Sequence, residues 1–289
     1  MQRILLKTTI PYHPDDWHIG RFRRLTEHLR SLTNERGDAL FAVDARDRLE
    51  DERGNDPELV HIAQSDYQQL WLFGVDRDGG LTFADLMGIN LFRQQGRGLM
   101  LSRGPGDVGS SLHLLDTVGA AHCFNTVNPE ADADRRVADH PQEDWPCYDS
   151  GADGASQTIR VVEPVHPLLR RTDGGMIRQL PASPREGAVE VPEGAEGFAR
   201  VIATGRSRRS RREFNLAVAF EHHQDRWGEL AGRALIEACF QRFSDEHLDL
   251  EGNCTGRMAG LADVEVASPP DVLADTRAYF RNIALWLAA

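Results

Sequence analysis

No stretch of the sequence approaches the roughly 18 uninterrupted apolar residues of a membrane-spanning helix, and the best candidate, Ile283 to Ala289, is far too short. Met1-Gln2-Arg3 runs directly into Ile4-Leu5-Leu6 with no extended apolar segment or small-residue cleavage site behind it. No secretory signal is therefore expected, and the expected compartment is the cytoplasm. Cysteine is scarce: Cys123, Cys147, Cys239 and Cys254 form no CxxC pair and no zinc-type spacing with histidine, which points to free thiols in a reducing compartment. Lysine is scarcer still, Lys7 being the only one, so arginine supplies the rest of the 33 basic residues. Against 45 acidic residues these leave a net charge of −12, without the basic footprint that nonspecific nucleic-acid binding needs. Neither nucleic acid nor membrane is expected as a partner.

What is present reads as a globular α/β chain of 289 residues, 40% hydrophobic and 27% charged. Ile4 to Thr9 is a short β-forming run that opens into the polar loop Tyr12 to His18. Phe22, Leu25, Leu29 and Leu32 then recur at helical spacing. Ala39 to Val43 reads as a second buried strand, followed by the acidic stretch Asp44 to Asp56, and Leu70 to Gly74 as a third. After Gly79-Gly80, Thr82 caps a helix with Asp85 three residues on, and that helix stops at Gly96 and Gly98. A fourth strand, Leu99 to Ser102, breaks into the glycine-rich turn Arg103 to Ser111. This alternation predicts a flavodoxin-like, doubly wound, mainly parallel sheet with helices on both faces. Ligands of such sheets bind beyond the carboxyl ends of the strands, which directs attention to the loops after Thr9, Val43, Gly74 and Ser102.

Further on, a loop-rich insertion is expected near 125–160. Strand-like segments follow at Gln157 to Val162, Ala199 to Thr204 and Phe214 to Phe220, and the last two flank an arginine-rich hairpin tip, Arg206 to Arg212. Ala234 to Phe243 fits either a strand or a helix. A C-terminal helix is expected from Asp271 to Leu287, and the whole of 1–289 is read as one domain.

Several groups could carry chemistry. A nucleophile on the turn after Ser102 would require Gly-x-Ser/Cys-x-Gly, but Met100 occupies the first glycine position and no cysteine is present. The amides of Gly104 to Ser111 could still cradle an anion if Val108 to Leu115 begins a helix, or the glycines could simply permit a tight turn. His13 and His18 lie among Asp15 and Asp16 in the first strand-end loop, without HExxH or facial-triad spacing. His122 adjoins Cys123, but sequence neighbours normally point apart. Glu221-His222-His223 ends a predicted strand. Glu186 sits among prolines, and the arginines of 206–212 could clamp a phosphate or carboxylate, or be solvated.

The strand Leu70 to Gly74 with Asp76, the Leu81-Thr82 helix start, Phe92 to Met100, Val165-His166-Pro167-Leu168 and the strand Asn215 to Glu221 together resemble the class I glutamine amidotransferase-like superfamily, in its ThuA-like (trehalose-utilisation) branch. The resemblance implies a flavodoxin-like sheet and, by association, sugar or polyol metabolism. That branch generally lacks the amidotransferase cysteine, in agreement with Ser102-Arg103, so no glutaminase reaction is expected. Two principal functions compete. One is an enzyme acting on a small polar or carbohydrate-like molecule at the strand ends, with His13, Arg103, Asp107, His122 and Glu186 as its catalytic candidates; these should then converge on one pocket. The other is a noncatalytic ligand-binding or assembly module, a degenerate amidotransferase-like domain whose turn keeps its anion-cradling shape after losing the nucleophile; its pocket should then hold no paired acid and base, or be filled by the chain's own side chains. A cysteine-dependent hydrolase using Cys123 or Cys239 is a third. A homo-oligomer is compatible with each, and no sequence motif names a cofactor or a metal.

Overall fold

Ile4, Leu5 and Leu6 are all fully buried, which requires cover on both faces of the strand that carries them. The computed structural model describes residues 1–77, 79–123, 139–140, 142, 145–224, 228–248 and 270–289. Most of the insertion expected near 125–160 up to residue 144 lies outside the described residues, as does Cys254. In chain order the first half contains β1 (Gln2–Pro11), α1 (Arg23–Ser31), β2 (Phe41–Arg48), α2 (Pro57–Val60), β3 (Gln69–Gly74), α3 (Phe83–Gln94), β4 (Gly98–Arg103) and α4 (Asp116–Ala120). Then come β5 (Ser156–Thr158), β6 (Arg160–Val161), β7 (Gln179–Pro181), β8 (Ala199–Arg206), β9 (Glu213–Phe220), β10 (His223–Gln224), β11 (Leu230–Ala231), β12 (Ala234–Glu237), α5 (Asp245–Leu248) and α6 (Pro270–Leu287).

Eight strands form the central sheet in the order β2-β1-β3-β4-β12-β9-β8-β6. The first five are parallel, and β9, β8 and β6 continue the sheet antiparallel. The parallel part therefore has the 2-1-3-4-5 order of doubly wound, flavodoxin-like sheets. Side chains alternate between the two faces. Ile4, Leu6, Trp71 and Phe73 pack with α1 and α6, whereas Leu5, Leu70 and Leu72 pack with α2, α3 and α4.

The second strand does not stop at Val43 but runs to Arg48. An edge strand with one neighbour tolerates alternating charge, and Asp44 pairs with Arg3 at 2.7 Å while Arg46 pairs with Glu58 at 2.6 Å. The segment expected as one strand from Gln157 to Val162 is split, because β5 pairs with β7 and β6 with β8. Ala234 to Phe243 resolves into β12 and then a 3-10 turn at Phe240–Phe243.

Charge is also buried beneath the edge. Lys7, fully buried on β1, lies 2.8 Å from both Asp56 and Glu58, and buried Arg48 lies 2.8 Å from Asp85. Asp85 simultaneously closes the capping box of α3, accepting the Thr82 amide at 2.8 Å while Thr82 Oγ1 accepts the Asp85 amide at 3.3 Å. A close helix contact depends on glycine here: a Cβ on Gly88 would stand 2.1 Å from the Leu59 carbonyl oxygen of α2. Thr82→Ala removes one half of the box and is expected to cost about 1 kcal/mol in urea unfolding, since the buried Asp85 remains held by Arg48.

Candidate functional site

The strand-end region is drawn together by Asp76, immediately beyond β3. Its Oδ1 accepts the Thr9 hydroxyl at 2.5 Å and the Ser111 hydroxyl at 2.9 Å, and its Oδ2 accepts the Ser111 amide at 3.1 Å. Thr9 Oγ1 in turn accepts the amides of Val75 and Asp76 at 2.9 and 3.2 Å. The crevice between β1 and β3, where the winding of the sheet reverses, is thus bridged by side chains of the chain itself. Gly109 closes it further: its amide donates to the Asp76 carbonyl at 2.6 Å, its φ is +78°, and a Cβ there would stand 2.4 Å from the Gly74 oxygen.

The turn beyond β4 is filled in the same way. Arg103 is fully buried; its Nε donates to the Val108 carbonyl at 3.1 Å and its Nη2 to the Gly106 carbonyl, both within the turn. Burial pulls the guanidinium down to about 10. The expected helix start at Val108 is a 3-10 turn, Ser110–Leu114, and the Ser111 amide that would meet an external anion already meets Asp76. Ser102 lies within β4 opposite Phe73 and Glu237 and is fully buried, with no hydrogen bond to its hydroxyl. Positive φ outside glycine occurs among the described residues at Asp116 and Arg211, so Ser102 lacks the strained backbone of a nucleophile elbow.

The five candidate residues occupy three settings. His13 and Asp107 are exposed on separate loops, and His13 Nδ1 accepts the Asp15 amide at 3.3 Å. His122 is buried against the backbone oxygen of Glu237 at 3.2 Å, and burial, with Arg103 nearby, pushes its imidazole down to about 3. Glu186 is buried as well, receiving the Ser150 hydroxyl at 2.5 Å, Gln157 Nε2 at 2.8 Å and the Arg242 guanidinium. The link between these last two is Glu237, at the carboxyl end of β12. Its side chain shares Arg242 with Glu186 and accepts the Tyr279 hydroxyl from α6. Burial pushes Glu237 up to about 7, against the pull of Arg242, and raises Glu186 too. His247, beside the same guanidinium, is pushed down to about 4, chiefly by burial.

Glu237, Arg242 and Tyr279 were not singled out by sequence. The first two lie in the stretch that periodicity left undecided, and a charged residue in an apolar pattern ordinarily reads as solvated. Glu221-His222-His223 does follow a strand, but β9 runs antiparallel to β12, with Phe220 opposite Ala234. Its end therefore reaches the amino edge of the parallel sheet, away from the strand-end loops. There Glu221 meets His166 at 3.3 Å and Arg233 at 3.2 Å.

Cysteine chemistry is not prepared. Burial pushes the Cys239 thiol up to about 12 and raises that of Cys123, so neither is held as a thiolate at neutral pH. Among the described residues no group of three or more His, Cys, Asp or Glu side chains is placed to hold a metal ion, and no helix is long and apolar enough to cross a membrane. A cavity of about 230 Å³ lies apart from the strand ends, lined among others by Asn90, Arg93, Asp116, Phe198 and His223, with the last two rings stacked at 3.6 Å. None of the five candidates lines it.

The chain is similar in fold to amidotransferase-like structures. A ThuA-like protein from Parabacteroides merdae is 14% identical, with a TM-score of 0.45, and the match covers 82% of this chain and 78% of that one. The glutaminase domain of Trypanosoma brucei CTPS, solved with bound acivicin, is 12% identical, with a TM-score of 0.42 and coverage of 97% and 94%. The mmIFT52 N-terminal domain is 12% identical, with a TM-score of 0.47 and coverage of 86% and 90%. No family model matches the chain, and no curated protein does. At such identities the likeness concerns the course of the chain and not its chemistry.

Proposed function

We propose that the chain is a noncatalytic binding or assembly module built on an amidotransferase-like fold, without glutaminase activity. The observation that carries this reading is the closed strand-end turn, in which Arg103 occupies the space inside the turn and Asp76 takes the Ser111 amide that would bind an anion. The candidate residues support it as well: His13 and Asp107 lie exposed on loops, while His122 and Glu186 are buried under β12.

A thermal-shift screen of the full chain against sugars, sugar phosphates and divalent metals, run on wild type and Arg103→Ala, tests the reading. No ligand is expected to raise the melting temperature. Arg103→Ala should lower stability by about 2 kcal/mol, a fall of roughly 4–6 °C, because the Gly106 and Val108 carbonyls lose their buried donor. Residues held ready for chemistry behave differently, and their removal commonly leaves stability unchanged or raised. A ligand-dependent rise in wild type that Arg103→Ala abolishes would overturn the closed-turn reading that carries the proposal, because it would place a small-molecule site at the strand ends.

A further inference from the structure

The cavity near the amino edge of the sheet takes no part in the networks at the strand ends. It lies between the last turns of α3, the first turn of α4, the segment 193–198 and the β10–β11 hairpin. Its volume of about 230 Å³ exceeds the ~150 Å³ that encloses a benzene ring, so it holds a molecule of roughly ten to twelve non-hydrogen atoms.

The wall carries charge of both signs. Arg93 of α3, only 6% exposed, brings one positive charge to it. Asp116 and Glu193 bring two negative ones, and among the described residues no basic side chain pairs with either. The carboxamides of Asn90, Gln94 and Gln224 complete the polar part. Asp116 is held there against backbone preference: its φ of +38° lies in the left-handed region, where among the described residues Arg211 is the other side chain besides glycine. It opens α4 without a side-chain cap, so the helix gains nothing from the conformation. Strain of this kind collects where a side chain is held for a ligand. The apolar part of the wall is flat, since the rings of Phe198 and His223 stack with their planes 10° apart.

We infer that this cavity binds a free basic α-amino acid, arginine above all, with its carboxylate at Arg93, its two cationic groups at Asp116 and Glu193, and its guanidinium plane against the Phe198–His223 pair. Charge selects the class. One cation and two carboxylates are complemented by a ligand with two positive charges and one negative, which is the balance of a basic amino acid. A phosphorylated anion would meet two carboxylates, a neutral ligand would desolvate both without answering them, and a diamine would bring like charge to Arg93. The five donors of a guanidinium serve more than one acceptor, so Arg93 can hold a ligand carboxylate beside its contacts within the chain. The rings select guanidinium over ammonium, because a planar cation lies flat on an aromatic face while its edge pairs with a carboxylate. The inference goes beyond the functional reading above and concerns a different place and a different ligand class, so each survives failure of the other.

Calorimetric titration of the full chain with L-arginine tests it, and saturable one-to-one binding is expected. Glu193→Gln and Asp116→Asn should each weaken that binding by about tenfold or more, through loss of a charged partner. Both variants should keep the melting temperature of the unliganded wild type, since Glu193 is exposed and asparagine enters the left-handed region as readily as aspartate. Agmatine, which has the guanidinium but no carboxylate, should bind about tenfold more weakly than L-arginine, and L-glutamate should not bind. No saturable binding of L-arginine up to about 10 mM, an affinity unchanged in either variant, agmatine binding as tightly as L-arginine, or binding of L-glutamate would each overturn the inference.

Discussion

Replacing Arg242 with methionine should cost about 3–5 kcal/mol of unfolding free energy. The guanidinium is fully enclosed and donates to two buried carboxyls, through Nη1 to Glu237 and through Nη2 to Glu186. Removing it leaves both carboxyls in a low-dielectric interior with only neutral donors: Ser150 and Gln157 for Glu186, and Tyr279 for Glu237. The substitution roughly preserves volume, so the loss reports charge and not a cavity. Urea unfolding followed by tryptophan fluorescence measures it. Adding Glu186→Gln and Glu237→Gln to Arg242→Met should recover a large part of the loss, since the penalty lies in the unpaired carboxyls. A loss below about 1 kcal/mol would mean that the three groups are solvated and the cluster is open.

The second large effect is the dependence of stability on acidity. His122 and His247 are held neutral in the fold, with values of about 3 and about 4 against an ordinary 6.5. Between 6.5 and those values the unfolded chain binds protons that the folded chain refuses, so the stability present above pH 6.5 is lost as the pH falls. Glu237 acts with the opposite sign. Its folded value of about 7 lies above the ordinary 4.5, so its contribution is complete below 4.5 and is lost as the pH rises through 7. His166, pushed down to about 4 chiefly by burial, acts in the same sense as the other two histidines. Three histidines outweigh one carboxyl over the acid range, and wild type should lose roughly 4–5 kcal/mol on going from pH 6 to pH 4. In urea unfolding at a series of pH values, His122→Gln should show a shallower acid limb, whereas Glu237→Gln should show a steeper one between about 4.5 and 7. Identical pH slopes in all three proteins would refute the assignment of these groups.

Backbone pattern was legible where apolar runs were uninterrupted. β1, β3 and β4 and the capping box at Thr82 and Asp85 stand where periodicity puts them, because an apolar run with covered faces has one stable placement. The end of β2 was hidden for the converse reason: Asp44 to Arg48 reads as a solvated loop until Arg3, Glu58 and Asp85 are known to answer its charges. The same blindness applied to Glu237 and Arg242, whose partners come from distant segments at Glu186 and Tyr279. Strand direction was the other gap. The apolar run at Phe214 to Phe220 announces a strand, but only the pairing of Val218 with Ile236 and Ala219 with Leu235 tells which edge His222 and His223 reach.

The placement of Lys7 has a chemical consequence. With the only lysine of the chain fully enclosed between Asp56 and Glu58, the folded protein presents acylating reagents with no side-chain amine. Acylation at that one position requires the start of α2, which carries Asp56 and Glu58, to move off the sheet, so its rate under native conditions counts such openings.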